Sequence, residues 1–151
     1  MTPEQQAALL SIGREVLSQQ AFSTLLGAEL LSLRPGHCEL AVAVRDELKQ
    51  QHGFVHGGVV SYLADNALTY AGGTAMRVPV VTAEFKINYL RPAMGQRLVA
   101  RAQALYVGKA QAVCRCDVFV VNEGVEKLCA VAQGTIARIG DAPPAASSTE
   151  A

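Results

Sequence analysis

Hydrophobic positions along the chain change their period several times, and each change marks a predicted element. Apolar residues recur every three or four positions over residues 3–19, which predicts an amphipathic helix capped by Thr2. Residues 57–73 are apolar or small on nearly every side, which predicts a helix buried on most sides. Elsewhere the pattern alternates with period two, as in strands. The full prediction is helix 3–19, a helical turn 22–26, strands 28–34 and 38–44, helix 57–73, and strands 80–90, 97–107, 110–121 and 125–139.

Turn residues separate these strands. Pro35-Gly36, Gly108-Lys109 and Asn122-Glu123-Gly124 are hairpin signals. Because the turns are short, the last four strands are predicted to form an antiparallel meander. One long buried helix against a curved antiparallel sheet is an α+β arrangement. Residues 1–139 are predicted to form a single domain, and residues 140–151, rich in proline, alanine and serine, a disordered tail.

Composition narrows the class of function. The chain has 151 residues, which suits one domain with its own apolar core. Half of the residues are hydrophobic and only 17% are charged, so we expect a partner subunit to cover part of the surface. The net charge is zero, which argues against nucleic-acid binding.

Other features of the sequence indicate the cellular compartment. The N-terminus lacks the pattern of a signal peptide, and no apolar run approaches the ~20 residues of a membrane span, so a cytoplasmic protein with no membrane partner is expected. The four cysteines form no C-x-x-C pair, and none stands at metal-ligand spacing from a histidine, which favours reduced thiols.

Candidate chemistry is concentrated in residues 50–73, QQHGFVHGGVVSYLADNALTYAGG. Gly57 and Gly58 stand at the predicted start of the buried helix, where backbone amides lack internal partners and carry the positive end of the macrodipole. Because Gly57 has no side chain, the oxygen of a substrate carbonyl can reach its N–H, as in an oxyanion site. The alternative is that the two glycines only make a tight turn.

Asp65 is the only acidic residue of this helix. It is either a reacting carboxylate or a structural one bonded to Ser61, Thr69 or a backbone amide, since an unpaired buried carboxylate is costly. Eight residues separate it from Gly57, which is about 12 Å at ~1.5 Å per residue. One carbonyl therefore cannot contact both within one chain. Either the two are unrelated, or a second subunit with an antiparallel helix completes the site.

The histidines allow two interpretations. His56 directly precedes Gly57, and His52 lies four residues earlier. Either can serve as a general base, or His56 can hold the turn by bonding to the backbone. Together with His37 they are too scattered for a metal site. No nucleophilic serine or cysteine motif and no Walker-type phosphate loop is present, so we assign the chemistry to a carboxylate, amides and water, without cofactor or metal.

These residues resemble a known family. H-G-G at 56–58 and L-A-D at 63–65 are similar to the helix motif of the hotdog-fold acyl-CoA thioesterases, in the branch named after the phenylacetate-pathway thioesterase. The segments V-T-A-E-F-K-I-N-Y-L-R-P-A (81–93) and A-L-Y-V-G-K-A (104–110) resemble the strands that follow in that family. The resemblance implies a hotdog fold, here with an extra N-terminal helix. It also implies homodimers that form the active sites and assemble as a dimer of dimers.

The resemblance further implies a mechanism. The Gly57 amide would polarise the thioester carbonyl of an acyl-CoA, and Asp65 of the partner subunit would act as nucleophile or as general base on water. The hydroxyl of Thr82 stands at the place where the family positions that water.

The resemblance also implies where substrate binds. Arg91 and Lys109 would meet the CoA phosphates, and Gly58 and His52 would contact the substrate. Many members carry an asparagine where this chain has Gln50, so the longer amide or His52 would take over its role. The acyl group stays open, with Phe54, Tyr62, Leu68 and Tyr70 as candidate lining residues.

Two other functions fit the same resemblance. One is a hydratase or dehydratase acting on an acyl thioester, with His56 as base. The other is a module that binds acyl-CoA without turnover. Asp65 within L-A-D favours hydrolysis over the first, and the lack of a DNA-binding segment argues against a sensor of the second kind.

Overall fold

The computed structural model describes residues 1–140, and most of the predicted tail, residues 141–151, lies outside the described residues. The predicted order of elements is confirmed, with the long helix extending three residues beyond position 73. The elements are α1 (Pro3–Gln19), α2 (Ala21–Leu26), β1 (Ala28–Arg34), β2 (His37–Ala43), α3 (Gly57–Met76), β3 (Val80–Tyr89), β4 (Arg97–Val107), β5 (Gln111–Asn122) and β6 (Val125–Arg138).

Local signals explain the two N-terminal helices. The Thr2 hydroxyl accepts a hydrogen bond from the Gln5 N–H, and the Gln5 side chain accepts one from the Thr2 N–H, which makes a capping box at the start of α1. Helix α2 ends at Gly27, whose φ of 72° lies in the left-handed region that favours glycine.

The six strands form one antiparallel sheet in the order β1-β2-β4-β5-β6-β3. Strands β4 to β6 make the predicted meander, but the prediction is wrong for β3. This strand pairs with β6 at the far edge, while β4 pairs with β2. The reason lies in residues 90–96, which include Pro92 and make no tight hairpin. Instead the Ala93 carbonyl accepts from the Val55 N–H and ties this segment to the loop before α3.

Helix α3 packs its buried face against the concave side of the sheet. Gly72 allows the closest approach, since a Cβ there would lie 2.7 Å from Cβ of Ile136 on β6. The opposite face of α3 is only half-buried and includes Asp65, Asn66 and Thr69. The buried face consists of aliphatic and small side chains: Val59, Val60, Leu63, Ala64, Ala67, Leu68, Ala71 and Gly72.

The four cysteines contribute to the core as free, buried thiols. Cys114 and Cys116 point to the same buried face of β5, as their spacing predicts. Burial raises the pKa of Cys114 and of Cys129 to about 11, so these side chains are neutral at physiological pH.

One long side of the sheet is uncovered. Strand β3 is an edge strand, bonded to β6 along one side. Its Val81 side chain is 52% exposed. An uncovered edge with apolar side chains is a template for pairing with another strand. No helix in residues 1–140 is both long and apolar enough to cross a membrane.

Candidate active site

The start of α3 is fixed by a local cap. His56 is the N-cap, and its Nδ1 accepts a hydrogen bond of 2.8 Å from the Gly58 N–H. A Cβ on Gly58 would lie 2.9 Å from that Nδ1, so glycine makes room for the cap. The His56 ring therefore holds the turn, the second of its two predicted roles. The Gly58 N–H already donates to His56 in this bond and is not free to bind substrate.

Gly57 presents the open amide. It is the first residue of α3, and within residues 1–140 its N–H donates to no protein acceptor. Tyr89, at the end of β3, lies beside Gly57. Its hydroxyl donates a hydrogen bond of 3.1 Å to the Gly57 backbone carbonyl. A Cβ at position 57 would meet the Tyr89 ring at 3.4 Å. Tyr89 was not predicted as a site residue, because only the pairing of β3 beside the helix start brings it there.

A cavity of about 370 Å³ opens beside Gly57. It brings together two predicted residues, Gln50 and Arg91, with Phe54 and Tyr89 as aromatic walls. The Gln50 side chain is partly engaged, because its Oε1 accepts from the His52 N–H. His52 itself is exposed in the loop and is not among the residues that line this cavity.

Asp65 lies further along the same helix and is held by a different kind of contact. Its Oδ1 accepts a 2.6 Å hydrogen bond from the Thr82 hydroxyl on β3. The Thr69 hydroxyl donates to the Asp65 backbone carbonyl at 2.9 Å and lies 2.9 Å from Thr82 Oγ1. The other carboxylate oxygen has no protein donor within residues 1–140. Asp65 and Thr82 of one chain are thus in direct contact, and one carboxylate oxygen is left for a ligand or water.

Gly57 and Asp65 remain apart. They belong to one uninterrupted helix, so eight residues separate them by about 12 Å along its axis. Within one chain, the open amide and the half-buried carboxylate cannot contact the same carbonyl group.

The two predicted phosphate ligands are also separated. Arg91 follows the end of β3 beside Gly57. Lys109 lies in the turn between β4 and β5, near the start of β3. The next residue, Ala110, accepts a hydrogen bond from the Arg138 N–H, and Arg138 pairs with Val80, the first residue of β3. The length of β3 separates the two cations, so a single chain cannot direct both to one phosphate group. Within residues 1–140, no three His, Cys, Asp or Glu side chains are grouped to hold a metal ion.

This architecture, one long helix wrapped by a curved antiparallel sheet, is the hotdog fold. A solved structure of a thioesterase family protein from Silicibacter pomeroyi has the same fold, with a TM-score of 0.80, 36% identity, and coverage of 84% of this chain and 96% of that one. Residues 52–127, which include Gly57, Asp65 and Thr82, match the model of the thioesterase superfamily.

Two curated relatives agree with that match. The chain is 32% identical to the acyl-coenzyme A thioesterase PaaI of Escherichia coli over 121 residues, which is 80% of this chain and 84% of the relative. It is 31% identical to human acyl-coenzyme A thioesterase 13 over 130 residues, which is 84% of this chain and 90% of the relative. The chain belongs to the thioesterase superfamily and is a thioester hydrolase. The resemblance to hotdog thioesterases of the phenylacetate branch is confirmed.

Proposed function

We propose that this protein hydrolyses acyl-CoA thioesters to the free acid and CoA, at sites that each combine Asp65 and Thr82 of one subunit with Gly57 of another. The observation that carries this proposal is the division of chemistry along α3. An amide without a protein acceptor stands at the helix start, and a carboxylate with one oxygen free of protein donors stands about 12 Å further on. The similarity to acyl-coenzyme A thioesterases supports the substrate class.

The uncovered edge of β3 supports the dimer. If two copies pair along this edge about a two-fold axis, their β3 strands run antiparallel and their α3 helices lie side by side in opposite directions. Gly57 of each helix then faces Asp65 of the other, which gives two identical sites per dimer. The exposed Val81 side chain would be covered in the same step. Two such dimers would form the predicted tetramer, in the cytoplasm.

In this arrangement the thioester carbonyl lies between the two helices. Its oxygen accepts from the Gly57 N–H, whose interaction strengthens as negative charge develops on that oxygen. Thr82 holds Oδ1 of Asp65, so that the other oxygen faces the carbonyl carbon.

Two routes lead from there to products. Asp65 either attacks the carbon to form an anhydride or takes a proton from a water molecule that attacks. The carbon–sulfur bond then breaks, and the CoA thiolate is protonated on leaving. In the first route, water hydrolyses the anhydride in a second step. Incorporation of labelled solvent oxygen into Asp65 during a single turnover identifies the anhydride route, because the general-base route never bonds Asp65 to the solvent oxygen.

The cavity beside Gly57 suits the polar arm of the substrate. Arg91 places a guanidinium there that can bind a phosphate, and Gln50 offers an amide for the thioester or water. In the dimer, Lys109 of one subunit is free to reach the same CoA as Arg91 of the other, which a single chain does not permit.

The test is thiol release from a panel of acyl-CoAs, with Asp65→Asn as the decisive variant. We expect its kcat to fall roughly 10²–10⁴-fold, the usual range for losing a general base, without loss of fold. Asp117→Asn is the matched control, because Asp117 is also half-buried but lies on the outer face of the sheet beside Arg115. Near-normal turnover by Asp65→Asn would contradict the proposal.

A further inference from the structure

An apolar groove of about 690 Å³ runs between α1 and α3, outside the cavity that contains Gly57. That volume is within the range of ligand pockets. Ile12 and Val16 of α1 form one wall, Thr69 and Gly73 of α3 form the floor, and Pro79 and Val80 close the far side.

The groove begins at the candidate active site. Thr69 lines it and also bonds to the Asp65 backbone and lies beside the Thr82 hydroxyl. One helical turn further, Gly73 leaves the groove open, since a Cβ there would lie 3.0 Å from the Val80 side chain. A ligand whose reacting carbonyl lies at Asp65 can therefore extend directly into the groove.

Helix α1 is held in place, yet its groove-facing side chains are uncovered. The Tyr70 hydroxyl donates to the Gly13 carbonyl at 2.8 Å, and the Arg14 Nε donates to the Leu30 carbonyl at 3.0 Å. Ile12 and Val16 are nevertheless 60% and 45% exposed. A fixed wall with uncovered apolar side chains is suited to an apolar ligand.

The groove and the cavity beside Gly57 differ in polarity, because apolar atoms make up a larger share of the accessible lining of the groove than of the cavity. Within residues 1–140 each lining includes one arginine, Arg77 in the groove and Arg91 in the cavity. An acyl-CoA has the same asymmetry, with an apolar acyl chain on one side of the thioester and a polyanionic arm on the other.

We propose that the groove between α1 and α3 binds the acyl chain of the substrate and makes the enzyme prefer apolar chains of medium length over acetyl. The proposal rests on the proposed function and names its substrate class. The carbonyl lies at Asp65, and the chain passes Thr69 and Gly73 toward Pro79. The extra N-terminal helix is thereby a specificity element, because it supplies one wall.

The test compares Ile12→Trp, which fills the groove, with Leu25→Trp on α2, where the native side chain is 66% exposed and outside the groove. For Ile12→Trp, we expect kcat/KM for octanoyl-CoA to fall roughly tenfold or more, since one misplaced methylene in an apolar pocket already costs about that much. Hydrolysis of acetyl-CoA should be unchanged, and Leu25→Trp should alter neither. Equal effects on both substrates, or none, would overturn the proposal.

A binding experiment separates this inference from the function on which it rests. The thioethers S-octyl-CoA and S-ethyl-CoA cannot be hydrolysed, so their affinities are measurable by calorimetry whether or not the protein turns over acyl-CoA. The wild-type protein should bind the octyl compound more tightly, and Ile12→Trp should remove the difference. Equal affinities in the wild type would refute the proposal that the groove binds the acyl chain. Absence of thiol release from every acyl-CoA would refute the proposed hydrolysis alone.

Discussion

The start and the middle of α3 carry the two halves of the candidate chemistry, and they are built in different ways. At the start, the cap bond joins His56 to Gly58, two residues away in sequence. In the middle, Asp65 is held by Thr82, which comes from β3 and lies 17 residues away. The first arrangement is local, and the second exists only when β3 lies beside the helix.

Substitutions should therefore affect the two halves of the site differently. A change at the helix start should affect the amide and the cap but leave the packing of the sheet intact. A change that removes the hydrogen bond between Thr82 and Asp65 should weaken the contact between α3 and β3, whereas Asp65→Asn keeps an oxygen that can accept it.

After Asp65→Asn, the largest effect should come from removing the Gly57 amide hydrogen with Gly57→Pro. Proline is tolerated at the first helical position, and His56, at ψ 134°, already has the extended conformation that a following proline requires. We expect kcat to fall roughly 10²–10³-fold, the usual cost of one oxyanion donor. Gly57→Ala keeps the N–H and is the control, with a smaller loss. If both variants lose the same activity, bulk at this position matters and the hydrogen bond does not.

Thr82→Val should have the next largest effect. It removes the donor that holds Oδ1 of Asp65, and a hydrogen bond to a charged group is worth about 1.5–3 kcal/mol, so kcat should fall roughly ten- to a hundredfold. Thr82→Ser restores the hydroxyl and should recover most of the rate. A valine variant with full activity would show that Asp65 needs no support from β3.

The smallest effect should come from the cap. His56→Ala removes the acceptor for the Gly58 N–H and should lower the free energy of unfolding by about 1 kcal/mol, measured by urea titration. His56→Asn offers another cap acceptor and should recover both stability and kcat. If asparagine restores stability but not kcat, His56 acts as a base after all, and the start of α3 has a chemical role beyond its amide.

The same contrast explains what could be predicted from the sequence. The cap at Thr2 and the tight turn at Gly108 are determined by neighbouring residues, so the sequence pattern and turn chemistry were sufficient to predict them. The bond between His56 and the backbone belongs to the same class, and it was one of two roles predicted for that side chain.

The predictions that were wrong or missing concern contacts that depend on tertiary structure. The position of β3 at the far edge of the sheet depends on how residues 90–96 cross to β4, and no turn signal encodes that path. The contact of Tyr89 with Gly57 follows from that position. Thr69 is one of three alternative partners given above for a structural Asp65, but its hydroxyl bonds to the backbone carbonyl rather than the carboxylate. Thr82 was found only through the resemblance to a family, since nothing in its neighbourhood identifies it.

The central claim is that each site takes Asp65 from one subunit and Gly57 from the other, and co-expression of two inactive variants tests it most directly. Chains that carry Asp65→Asn and chains that carry Gly57→Pro should each be nearly inactive alone. In a mixed dimer, one site receives both defects, and the other receives the intact Asp65 and the intact Gly57. Random pairing should therefore restore about a quarter of wild-type activity per subunit. Activity no higher than that of the separate variants, in a preparation shown to contain mixed dimers, would contradict a shared site.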